Sequence, residues 1–98
     1  MAPGESWDYS LTWRVAEAAV ESHPDWAAEV GRRQAESIIN DGRADLYNIA
    51  VRWLRTVSRA MRSAGQEAAW QDYLTNLTLE HRRKYKLRPM LQDLARRP

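Results

Sequence analysis

The stretch "ADLYNIAVRWLRTVSRAMRSA" (residues 44–64) decides the fold of this 98-residue chain. Apolar side chains recur in it every three or four positions, which is the spacing of one face of an α-helix. The members of this apolar face are Tyr47, Ala50, Val51, Leu54, Val57 and Met61. A helix of about 20 residues, roughly 30 Å long, is therefore predicted over residues 44–64. Gly65 follows and can adopt the left-handed conformation that ends helices.

Three more long helices are predicted around this one from apolar period and helix-ending residues. They span residues 6–22, 24–40 and 66–84. Pro24 cannot continue a helix but is well suited to begin one, so it separates the first two. Gly42 is expected to end the second helix as Gly65 ends the third. A short fifth helix is predicted to begin at Pro89 and to fold back on the others. Its apolar residues are Met90, Leu91 and Leu94.

The connections between the predicted helices are only a few residues long, so successive helices should lie side by side in antiparallel order. No stretch alternates with a period of two for long enough to form a strand. The prediction is an all-α single domain over residues 1–98, with its core within about residues 6–95. Its architecture is two stacked antiparallel helical hairpins, similar in length to tetratricopeptide pairs, plus the short C-terminal helix.

The five tryptophans divide into two groups. Trp7, Trp26 and Trp70 coincide with the apolar faces of their predicted helices and are expected in the core, as is Val15. Trp13 and Trp53 lie to the side of those faces. Each is expected either to pack between the hairpins or to stand exposed as an anchor for a partner.

The residue types that build most catalytic and metal sites are missing or scattered. The chain has no cysteine, and its two histidines, His23 and His81, lie in different predicted hairpins. Both are interpreted as structural, with His23 able to cap the second helix, because no ligand spacing suggests zinc. The serines lack a nucleophile elbow, and the isolated glycines form no phosphate-binding loop. We therefore expect no enzymatic activity, no metal and no cofactor.

Targeting signals are also missing from the sequence. No apolar run approaches the roughly 20 residues that span a bilayer. The start "MAPGESWDYS" has neither the basic nor the apolar region of a signal peptide. A cytoplasmic location without membrane contact is expected.

The net charge of +2 conceals an uneven distribution. Residues 1–42 carry three basic and eight acidic side chains, whereas residues 81–98 carry seven basic and one acidic. On the predicted third helix, four arginines at spacings of three, four and three form one stripe. This arginine stripe consists of Arg52, Arg55, Arg59 and Arg62. It is expected to be either a solvated face that orients a protein partner or a track for phosphates.

A second cluster of positive charge lies in "HRRKYKLRPMLQDL" (residues 81–94). Its cations are Arg82, Arg83, Lys84, Lys86 and Arg88. They form either a polyanion-binding site or the exposed end of the fourth helix, joined to an apolar anchor. The second interpretation is preferred, with Arg82, Arg83 and Lys84 in the last helical turn, where cations complement the negative end of the helix dipole.

Three stretches, "ESHPDWAAEVGRRQAESII", "YNIAVRWLRTVSRAMRSAGQEAAWQDYL" and "HRRKYKLRPMLQDL", together resemble the helical C-terminal region of bacterial SWIM zinc finger proteins. The matching elements are residues 23–26, 32–36, 50–54 with Gly65, 70–74 and 81–94. The finger itself is absent, because this chain has no cysteine. The resemblance implies a helical, tetratricopeptide-like appendage that contacts the rest of a larger protein or its partners.

The sequence thus predicts a non-enzymatic protein-interaction module. Trp13 or Trp53 would anchor the partner in a groove between hairpins, and the arginine stripe would orient it. The partner would be another protein or the rest of a longer chain. The alternative is an accessory nucleic-acid-binding domain that uses the arginine stripe together with the cations of residues 82–88.

Overall fold

The computed structural model describes residues 9–96, with side chains from residue 12, and shows five α-helices there. They are α1 (Tyr9–Ala18), α2 (Pro24–Asn40), α3 (Tyr47–Ser63), α4 (Glu67–Glu80) and α5 (Arg88–Arg96). A single 3₁₀ turn, Ala44–Leu46, precedes α3. No residue in the described range forms a strand. The predicted all-α fold of four helices plus a short C-terminal helix is therefore confirmed.

The central helix is α3, which packs against each of the other four α-helices. All six predicted members of its apolar face are buried, and Trp53, Thr56, Ser58 and Ala60 are buried as well. Only a narrow band of this helix, which carries the arginines, remains exposed. A helix that is buried on most of its sides must lie inside the bundle. The stretch over residues 44–64 therefore organises the core.

The closest pairing in the bundle is between α2 and α3. The buried face of α2 consists largely of small residues, namely Ala27, Ala28, Gly31 and Ala35, with Ile38 and Ile39 at its end. A β-carbon placed on Gly31 would lie 2.5 Å from Cγ2 of Val57 and 3.1 Å from the carbonyl oxygen of Trp53. The absence of a side chain at Gly31 thus allows the two backbones to approach each other.

Two predicted core positions are wrong. Trp26 is 46% exposed and Val15 is 50% exposed. The α2 face that meets α3 is made of small side chains, and a large indole would hold the two helices apart. In α1 and the turn after it, Ala16, Ala19 and Val20 are buried instead. The prediction for Trp70 is confirmed, since it is 1% exposed, whereas Trp7 lies outside the described residues.

The predicted helix ends at the two glycines are confirmed. Gly42 has φ of +68° and Gly65 has φ of +73°, which is the left-handed region that favours glycine. After α3, the backbone N–H of Gln66 donates to the carbonyl of Met61 at 2.7 Å. This bond satisfies one of the carbonyls that a helix end leaves free.

The C-terminal part folds back as predicted. In α5, Leu91 and Leu94 are buried against the bundle and Met90 is half-buried. Leu87, just before α5, is fully buried and was not singled out by the sequence. The fourth helix ends at Glu80, four residues before the predicted Lys84. Between α4 and α5 the chain forms a series of turns, and the residues at the two ends of this stretch, His81 and Leu87, are buried.

Candidate functional site

A polar network joins α1 to α3 beside the arginine stripe. Thr56, which is fully buried, donates its hydroxyl hydrogen to Oε2 of Glu17 at 2.6 Å and accepts one from Nε1 of Trp13 at 3.0 Å. The other carboxylate oxygen of Glu17 accepts a hydrogen bond from the guanidinium of Arg59. Buried polar groups need such partners, so the network fixes the position of α1 on α3.

Most of the arginine stripe is occupied within the chain. The guanidinium of Arg52 lies 4.5 Å from the ring centroid of Trp13, in cation–π contact, and Arg59 is paired with Glu17. Nε of Arg62 lies 3.8 Å from Oε2 of Glu67, an ion pair too long for a hydrogen bond. Arg55 is exposed and has no ion-pair partner among the described residues. Two members of the stripe, Arg59 and Arg62, thus have acidic partners on other helices of the same chain.

Neither tryptophan of the predicted anchor pair is free to insert into a partner. Trp53 is 1% exposed and lies in the core beside Gly31, so the prediction of an exposed anchor at this position is wrong. Trp13 is half-buried, its N–H is bonded to Thr56, and its ring is covered by Arg52. For both residues the alternative interpretation, packing between helices, describes the structure.

The cationic cluster after α4 differs from the arginine stripe in having no ion pair among the described residues. We call residues 82–88 the basic segment. Arg82, Arg83, Lys86 and Arg88 are exposed, and Lys84 is half-buried. No carboxylate of the described residues lies within ion-pairing distance of any of these five cations. Because α4 ends at Glu80, the prediction that Arg82, Arg83 and Lys84 lie in its last turn is wrong.

The backbone of the basic segment is nevertheless well fixed. The N–H of Lys84 donates to the carbonyl of His81 at 2.9 Å, and the N–H groups of Leu87 and Arg88 both donate to the carbonyl of Lys84. His81 before the segment and Leu87 within it are buried. Tyr85 lies between these two residues in the sequence, and its side chain is 80% exposed. The segment therefore presents its charges and one aromatic ring on a defined set of turns.

A small polar cleft lies between α2 and the C-terminal end of α4. Its volume is about 180 Å³, and its lining includes Glu36, Asn40, Tyr73, Asn76 and His81. The hydroxyl of Tyr73 donates to Oε2 of Glu36 at 2.6 Å. Burial of the phenol, together with this bond to a carboxylate, raises the pKa of Tyr73 far above its usual range. The phenol is thus held protonated as a structural donor.

The two histidines have different environments. His81 is buried at the C-cap position that follows α4, and burial lowers the pKa of its imidazole below 6.5. Its side chain is therefore mostly uncharged at neutral pH and adds little to the positive charge of the basic segment. His23 is exposed at the N-cap position of α2, but its side chain makes no capping hydrogen bond, so that predicted role is wrong.

Within residues 9–96, no three histidine, cysteine, aspartate or glutamate side chains are grouped so that they could hold a metal ion. None of the helices in this range combines the length and apolar character required to cross a membrane.

Sequence reasoning missed the residues at the centre of the polar network. Nothing in the sequence distinguishes Glu17 from an ordinary exposed acidic residue of a helix, but only 18% of its side chain is exposed. Thr56 is the one hydroxyl among the fully buried large side chains of the described residues. The available signal was its position within an otherwise apolar part of α3. Finding its partners required knowledge of how α1 crosses α3.

No family model, no curated protein and no solved structure matches the chain. Its class therefore rests on the fold and surface alone. It is a small all-α bundle with a cationic segment between α4 and α5 that has no ion pair among the described residues.

Proposed function

We propose that the chain is a non-enzymatic helical interaction module that binds an acidic partner through the basic segment. The observation that supports this most is the contrast between the two cationic surfaces. Three arginines of the stripe are occupied by Trp13, Glu17 or Glu67, whereas the five cations of residues 82–88 have no ion pair among the described residues. An unpaired cluster of like charge on a fixed backbone costs stability through repulsion, which an acidic partner would relieve.

The contact surface at the basic segment differs from the one that the sequence predicted around Trp13 and Trp53. Groups that already have partners inside the protein give little to a new interface, because their internal contacts must be broken first. Trp53, Trp13 and Arg59 each have such internal contacts. The basic segment needs little rearrangement, since its turns are held by their own hydrogen bonds. The side-chain bond recorded for its cations is a long one, 3.4 Å from the guanidinium of Arg82 to the carbonyl of Leu79.

The polar cleft supports a non-enzymatic module rather than an enzyme. Tyr73 and Glu36 are bonded to each other, and the raised pKa of Tyr73 makes it a poor general base at neutral pH.

The setting of the module follows from the sequence motifs. We infer that it is an appendage of a larger protein of the SWIM zinc finger type, working in the cytoplasm. The support for this remains the order and spacing of the motifs between about residues 20 and 94.

Charge removal tests the proposal. We would immobilise the protein, the variant R82Q/R83Q/K86Q, and the control R14Q/R33Q/R43Q, which loses the same charge from exposed positions elsewhere. Macromolecules retained from cell extract at low salt would be identified and quantified for each. The proposal expects specific partners to be lost with the first variant and kept with the control. Equal retention by all three proteins, or equal loss in both variants, would contradict it.

A further inference from the structure

The exposed ring in the basic segment restricts the chemistry of the partner. Tyr85 is 80% exposed, the highest value among the large hydrophobic side chains of the described residues. Its chain neighbours are Lys84 and Lys86, and Arg82, Arg83 and Arg88 complete the segment. The surface thus combines several exposed cations with one aromatic face, within seven residues.

This combination matches the two components of a single nucleic-acid strand. Lysine and arginine side chains pair with phosphates, and an exposed aromatic ring stacks on a base whose faces are free. A duplex offers the phosphates but hides the faces of its bases inside the stack, so Tyr85 would contribute nothing there. A segment of aspartate and glutamate residues alone offers carboxylates without an aromatic face for the ring.

The turns make this surface available at low cost. His81 and Leu87 are buried, and three backbone hydrogen bonds onto the carbonyls of His81 and Lys84 hold the intervening chain. A ligand therefore has to order side chains but not the backbone. One carboxylate, that of Glu80, lines the shallow cleft next to Arg82 and Arg83, and the local balance of charge remains strongly positive.

We propose that the basic segment binds unpaired stretches of nucleic acid, with Arg82, Arg83 and Lys86 on phosphates and Tyr85 stacked on a base. This inference rests on the proposed function, because it specifies the acidic partner of the same segment. Recognition is largely independent of sequence, since every base has a face that can stack.

Fluorescence anisotropy with three labelled probes tests the inference on the full chain. The probes are a thymidine strand of about 12 nucleotides, a duplex of about the same length, and a glutamate-rich peptide of similar charge. We expect the strand to bind more tightly than the duplex or the peptide. Its affinity should fall as salt rises, and R82Q/R83Q/K86Q should reduce the log–log slope by about 2, or about 0.7 for each phosphate that the variant no longer neutralises.

Two substitutions of Tyr85 isolate the stacking contribution. Tyr85→Ala should weaken binding of the strand by about five-fold or more, whereas Tyr85→Phe keeps the ring and should bind like the unmodified protein. Neither change should affect the duplex. Circular dichroism of each variant checks that the helices are intact, and R14Q/R33Q/R43Q serves as the charge-matched control.

Each contrary result has a distinct meaning. Equal binding of strand and duplex, or no effect of Tyr85→Ala, would overturn the inference and leave only nonspecific phosphate attraction. Binding of the glutamate-rich peptide alone would overturn it while keeping the proposed function, with an acidic protein as partner. Failure of all three probes would overturn the inference, and the extract experiment would then decide the proposed function separately.

Discussion

At the scale of single residues, Thr56 shows how one hydroxyl can connect two helices. It is fully buried, and its oxygen is both a donor to Glu17 and an acceptor from Trp13. Removing one member of such a network leaves its partners desolvated and unpaired, which costs more than the bond itself contributes. Trp13 and Glu17 would both lose a partner at once.

We therefore predict that Thr56→Val, which keeps the shape but removes the hydroxyl, lowers the free energy of unfolding by about 1–3 kcal/mol. Urea denaturation followed by circular dichroism measures this. Thr75→Val is the matched control, because Thr75 is exposed on α4, and its effect should stay within about 0.5 kcal/mol. Similar effects of the two substitutions would argue against the network.

At the scale of helices, the α2–α3 pair depends on the one glycine inside a helix of the described range. Gly31 is buried, and the space for a β-carbon is already taken by Val57 and by the backbone of Trp53. Glycine costs about 1 kcal/mol relative to alanine in a helix interior, so helix propensity alone would favour alanine here. The close approach of the two helices opposes that preference.

The sign of the effect of Gly31→Ala decides between these forces. We predict a decrease of about 1–3 kcal/mol in the free energy of unfolding, because the methyl group would push the helices apart. Urea denaturation and thermal unfolding of this variant and of the unmodified protein measure the difference in the free energy of unfolding. An increase in stability would show that Val57 moves aside easily and that the interface is looser than the distances indicate.

At the same scale, the bounds of the helices were predictable only in part. The first helix, α1, ends at Ala18, four residues before the predicted end at residue 22. The predicted bounds of the second helix agree with α2, and the glycines that end α2 and α3 have the expected left-handed conformation. The end of α4 was not predictable, because arginine and lysine are good helix formers and nothing in residues 81–84 breaks a helix. Burial of Leu87, which depends on the rest of the bundle, pulls the chain into turns there.

At the scale of the whole molecule, His81 couples proton binding to folding. Burial lowers its pKa in the folded protein, the charges of Glu80 and Glu36 raise it, and that of Lys84 lowers it further. The unfolded chain then takes up this proton at a higher pH than the folded protein does. As pH falls below about 6.5, protonation favours the unfolded state, so stability should decrease with acidification.

We predict that the free energy of unfolding falls between about pH 7 and pH 5.5, by at most about 1.4 kcal/mol per pH unit for this one proton. His81→Gln should flatten the profile over that range, whereas His23→Gln, at an exposed position, should leave it unchanged. Urea denaturation at several pH values provides the comparison. A profile that His81→Gln does not alter would assign the dependence to other groups.

The sequence by itself determined the all-α class, the central helix, two helix-ending glycines and the apolar fold-back of the C-terminal helix. These features depend on local periodicity and on the conformational freedom of single residues, which each stretch carries within itself.

Only the tertiary structure decided which large side chains are buried and which cations are free. Trp53 lies in the core and Trp26 at the surface because small residues bring α2 against α3. Glu17 and Glu67 occupy members of the arginine stripe because α1 and α4 lie beside α3. The cations of the basic segment stay unpaired within the described range because no described carboxylate lies within ion-pairing distance of them. The Arg59–Glu17 pair and the burial of Trp53 depend on distances between helices that are far apart in sequence, and no local pattern encodes them.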